Sequence, residues 1–61
     1  MQNEYPYQVY SPLGGLVLES TIEGRYPAKT ELRMLEAGFT IRLYGRKLTK
    51  ADVKKRGNEH G

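Results

Sequence analysis

Sixty-one residues with no cysteine, one histidine and a net charge of +3 exclude a disulfide framework, a thiolate or multi-histidine metal site and more than one domain. A chain this short buries only about 60% of the surface its unfolded form exposes, so its stability must come from a compact core, extended where needed by self-association. The charge is unevenly laid out: residues 1–24 hold Glu4, Glu19 and Glu23 with no Lys or Arg, a balance of −3, while residues 25–61 hold ten basic and four acidic side chains, a balance of +6. Such asymmetry points to an anionic partner.

The opening stretch MQNEYPYQVY has neither the basic nor the apolar region of a secretory signal. No apolar run approaches the ~20 residues needed to cross a bilayer, so a cytoplasmic protein without membrane contact is expected. Tyr5 to Tyr10 is rich in aromatic and β-branched residues and reads as a strand, with Pro6 restricting it to a strand start or an edge. SPLGG (11–15) is a turn signal. In GLVLESTI, Leu16, Leu18 and Ile22 share one parity while Val17, Glu19 and Thr21 share the other, which is strand periodicity with a polar outer face. These two segments form an expected hairpin.

Gly24 and Pro27 bracket a loop, and Pro27 suits the first turn of a helix, where its missing N–H costs nothing. The spacing of Ala28, Leu32 and Leu35 predicts a helix over about 28–37, closed by Gly38 in a left-handed cap. FTIRLY then alternates: Phe39, Ile41 and Leu43 on the core side, and Thr40, Arg42 and Tyr44 on the exposed side of a strand over 39–44. Gly45 and Arg46 turn the chain into a short KLT segment. Thr49 caps a final helix, KADVKKR, with Asp52 completing a capping box and Lys54, Lys55 and Arg56 at the end where the macrodipole favours cations. GNEHG is an expected frayed tail, making residues 1–57 one domain and 58–61 its tail.

The expected fold is therefore α+β: a small antiparallel or mixed sheet, built from the N-terminal hairpin plus strand 39–44, with one helix packed on one face and a short C-terminal helix. Its core is predicted to contain Val9, Leu16, Leu18, Ile22, Leu32, Leu35, Phe39, Ile41, Leu43, Leu48 and Val53. A dimer sharing a sheet edge or the helix face fits so small a core.

Catalysis is not expected. The single histidine, His60, falls in the predicted tail, and no Ser/His/Asp set can form around it. SPLGG lacks the Lys-Ser/Thr and the following helix of a phosphate loop. With so few residues to enclose a pocket of even ~300 Å³, neither a small-molecule substrate, a cofactor nor a metal is expected. Two constellations remain. Arg42, Tyr44, Arg46, Lys47, Lys50, Lys54 and Lys55 supply phosphate-binding cations and a stacking ring, the ingredients of DNA or RNA contact. The same cations also serve as a solvated face or as edge protection. Tyr5, Tyr7 and Tyr10 read as core rim or as a protein interface, including that of a homodimer; in that alternative the basic surface only keeps the chain soluble.

The stretch TIEGRYPAKTELRMLEAGFTIRLYGRKLTKADVKK, residues 21–55, resembles short accessory proteins carried on integrative and conjugative elements of Gram-positive bacteria. The resemblance implies a bacterial cytosolic setting and an accessory or regulatory role for a mobile element, with DNA or a DNA-bound protein as partner. It carries no catalytic or binding signature onto particular positions.

Overall fold

A computed structural model describes residues 5–58. Strands β1 (Tyr7–Tyr10) and β2 (Leu16–Ser20) are followed by a 3₁₀ turn (Ile22–Gly24) and helix α1 (Ala28–Glu36). Strands β3 (Thr40–Leu43) and β4 (Arg46–Lys47) then lead into helix α2 (Lys50–Asn58). The sheet has the order β2-β1-β3-β4, and all three pairings are antiparallel. This is the α+β architecture expected from the sequence. Strand β3 stops at Leu43 rather than continuing to residue 44, and α2 continues through Gly57 to Asn58 instead of fraying after Arg56. The remainder of the expected tail, residues 59–61, lies outside the described residues.

Alternation along the strands sorts the side chains. Tyr7 and Val9 of β1 pair with Leu43 and Ile41 of β3, and Tyr7, Val9 and Ile41 are fully buried beneath α1. Leu18, Met34, Leu35, Phe39, Leu43 and Leu48 pack around them. Gln8, Tyr10, Thr40 and Arg42 therefore occupy the opposite face, which no helix covers. Val53 is buried where α2 meets α1.

Two residues expected in the core are outside it. The register of β1 against β2 slips between Val9, opposite Leu18, and Tyr10, opposite Leu16, so Val17 is an extra, bulged residue. A bulge inverts the alternation beyond it, which moves Leu16 to the uncovered face and leaves it half exposed. Ile22 sits in the 3₁₀ turn rather than in a strand and is likewise exposed.

Helix α1 ends as its composition requires. Gly38 adopts φ +98°, the Gly38 N–H donates to the Leu35 carbonyl at 3.1 Å and the Phe39 N–H to that of Met34 at 2.9 Å. These are the paired bonds of a Schellman cap. At the other end Pro27 is the N-cap rather than the first helical residue, and its carbonyl accepts the Glu31 N–H at 2.9 Å.

Candidate nucleic-acid interface

The two-residue turn Tyr44–Gly45 joins β3 to β4. Both residues have positive φ, 53° and 79°, as a type I′ hairpin turn demands. Glycine takes this conformation freely, whereas for tyrosine the left-handed region costs roughly 1–2 kcal/mol. The turn is held by Arg42, whose Nη1 donates to the Gly45 carbonyl at 3.3 Å, and by the Tyr44 N–H, which donates to the Pro6 carbonyl at 2.8 Å. Tyr44 is 74% exposed, and Arg42, Arg46 and Lys47 are exposed as well.

Tyr44 thus belongs to the turn and not to the strand, so it does not share a strand face with Arg42 as the alternation of FTIRLY suggested. Arg42 and Lys47 are cross-strand partners on the uncovered face, whereas Arg46 is paired with Leu43 and so leans towards the helix side. The hairpin carries cations on both of its sides. One side borders a shallow groove of about 440 Å³ between Gln8, Tyr10, Gly14, Thr40, Arg42 and Gly45. The other borders a groove of about 300 Å³ that includes Tyr44, Arg46, Asp52 and Arg56.

The hairpin leads straight into the α2 cap. Thr49 Oγ1 accepts the Asp52 N–H at 3.2 Å, and Asp52 Oδ2 accepts the Thr49 N–H at 3.0 Å, the reciprocal capping box expected from the sequence. The Thr49 N–H and hydroxyl hold the Asp52 carboxyl below the usual carboxylate range, helped by the charges of Arg46 and Lys55. Lys50, Lys54 and Lys55 are exposed on α2. Lys54 borders a separate groove between the helices, beside Lys29, Leu32 and Val53. The seven basic and aromatic candidates therefore do not form one patch: Arg42, Tyr44, Arg46 and Lys47 share the hairpin, and Lys54 faces elsewhere.

The tyrosines divide too. Tyr5 is exposed, and Tyr10 is half-buried on the uncovered face. Tyr7 is fully buried, so within this fold it is core and cannot be an interface residue. Its hydroxyl belongs to a polar cluster that the sequence pattern did not reveal. Glu31 of α1 is fully buried. Its carboxylate accepts the Tyr7 hydroxyl at 2.8 Å, Arg25 Nε and Nη2 at 2.6 and 3.1 Å, and Arg56 Nη1 at 3.0 Å. Arg56 Nη1 also donates to the Tyr26 carbonyl at 3.1 Å, and the Arg25 guanidinium lies 5.7 Å from the centre of the Tyr7 ring. Among the described residues no buried side-chain nitrogen or oxygen lacks a partner. Burial, and then the bond to Glu31, push the Tyr7 hydroxyl well above the ordinary tyrosine range. Arg56, which in sequence closes a basic run, is thus tied to the buried Glu31 while its side chain stays partly exposed. Glu31 stands three residues after Ala28 and four before Leu35, on their helical stripe; only its charge made it look like a solvent residue.

Among the described residues no group of His, Cys, Asp or Glu is arranged to hold a metal ion, and no helix is long and apolar enough to cross a membrane. Compared with protein-family models, curated proteins and solved structures, the chain matches none of them.

Proposed function

We propose that this chain is a non-enzymatic DNA-binding module that lays the β3–β4 edge of its sheet against the backbone of the duplex. The observation that carries the reading is the exposure of Arg42, Tyr44, Arg46 and Lys47 at one edge of the four-stranded sheet, with cations on both faces of that edge. Duplex DNA carries one phosphate charge per about 1.7 Å of its axis, twice the density of either strand alone, so a cationic sheet edge gains most against the duplex.

Tyr44 adds a second support. An exposed aromatic ring held in a costly backbone conformation suits a contact made in the complex better than it suits the free fold. The accessory role in a bacterial mobile element, and the cytoplasmic setting that goes with it, rest on the wording of residues 21–55 and belong to the same proposal.

The test is a salt titration of binding to duplex DNA, single-stranded DNA and duplex RNA. Duplex DNA is expected to bind more tightly than single-stranded DNA, with log K falling linearly against log salt. Changing Arg42, Arg46 or Lys47 singly to Ala should reduce that slope by roughly 0.9 for each phosphate no longer neutralised. Tyr44→Asn should stabilise the free protein by about 1 kcal/mol and weaken binding. Absence of binding to duplex DNA at ~50 mM salt, where non-specific attraction is near its strongest, or variants that bind like the parent, would sink the proposal.

A further inference from the structure

The sheet has two edges of opposite character. Strand β4 is two residues long and consists of Arg46 and Lys47, so cations guard its unpaired backbone. Strand β2 is five residues long, LVLES, with one charge and neither lysine nor proline. Among the described residues its outer backbone groups pair with no other strand. Among the described residues the exposed large hydrophobics are Tyr5, Leu13, Leu16, Val17, Ile22 and Tyr44. Four of these six lie in β2 or within three residues of it. Residues 5–24 contain no Lys or Arg, although the chain has ten. The apolar surface, the free strand backbone and the absence of cations thus coincide on one edge.

We propose that β2 pairs antiparallel with β2 of a second copy, joining two four-stranded sheets into one. Cationic chains repel each other over most of their surface, and the β2 edge is where that repulsion is weakest. Self-pairing matches five residues with five and closes about a two-fold axis. Head-to-tail pairing of β2 on β4 would offer two residues against five and would leave a free edge at each end. An axis through Leu18 sets Leu18, which packs on the core, against its own copy and Glu19 against Val17, so that no two carboxylates oppose. The axis is perpendicular to the sheet, which leaves both uncovered faces, and both Arg42–Lys47 pairs, on the same side. Strand β3 offers no such edge, since it is already paired on both sides by β1 and β4.

Sedimentation of the full chain, without nucleic acid, over about 10 μM to 1 mM covers the weak association expected of an interface at or below ~1,200 Å². A monomer–dimer equilibrium is expected, with β2 amides gaining hydrogen-exchange protection as concentration rises. Val17→Glu and, separately, Leu16→Lys should each raise the dissociation constant at least about tenfold, the first because each new carboxylate meets Glu19 of the other copy, the second because it replaces apolar contact with charge at both ends of the pairing. Both side chains are about half exposed in the monomer, so helical circular dichroism should be retained. A monomer throughout the range, association continuing beyond a dimer, a dimer indifferent to both substitutions, or β2 amides whose protection ignores concentration would overturn the proposal.

Discussion

A carboxylate withdrawn from water beside two guanidiniums stabilises a fold only while all of the partners remain. Glu31 has no solvent exposure, while the side chains of Arg25 and Arg56 retain 14% and 32%. Removing the carboxylate leaves both cations without their counterion, a loss of the order of 3–5 kcal/mol. A domain of this length has about 3–9 kcal/mol in total at the usual value per residue. Glu31→Ala is therefore expected to unfold much of the population at room temperature, seen as lost far-ultraviolet dichroism. Arg56→Ala, which removes one of two partly exposed cations, should cost less. A Glu31→Ala protein with the parent's urea midpoint would contradict this account of the cluster.

At the level of the element, α2 depends on its cap more than α1 does, because none of its side chains packs on the core cluster of the sheet, whereas Met34 and Leu35 of α1 both do. Thr49→Ala removes the acceptor for the Asp52 N–H and should destabilise the protein by about 1 kcal/mol, with fraying concentrated in α2 amides. The cap also has a pH signature. The Asp52 carboxyl titrates lower in the fold than its ordinary value of 3.8, so its contribution is complete above that value and disappears as the pH falls through the depressed one. Urea midpoints measured between pH 6 and pH 2 should fall less steeply in Thr49→Ala than in the parent. Parallel curves would show that the capping box does not couple to stability.

Across the whole molecule, Glu31 joins four separate parts of the chain: Tyr7 in β1, Arg25 in the loop, α1 itself and Arg56 in α2. Unfolding is accordingly expected to be a single transition by fluorescence and by dichroism. The Tyr7 hydroxyl titrates higher in the fold than in the unfolded chain. Its contribution is thus complete below the unfolded value of about 10 and declines as the pH rises beyond it. Urea midpoints between pH 8 and pH 11 should drop more steeply for the parent than for Tyr7→Phe. Equal slopes would place the alkaline loss elsewhere.

The order of elements, the Gly38 cap and the Thr49–Asp52 box could all be read from the sequence, because each depends on residues within a few positions of one another. The alternation of FTIRLY was likewise enough to place Ile41 in the core and Arg42 outside. Three features depended on partners distant in the chain. The bulge at Val17 that turns Leu16 outward exists only against β1. Glu31 is buried because Arg25, Arg56 and Tyr7, the last two at separations of 25 and 24 residues, converge on it. The basic run from Arg42 to Arg56 is divided among hairpin, helix surface and the Glu31 cluster by the turn at Tyr44–Gly45 and by the packing of α2 on α1. Local propensity and periodicity act along the chain and can be read there, whereas pairing register and the neutralisation of a buried charge arise only when remote segments meet.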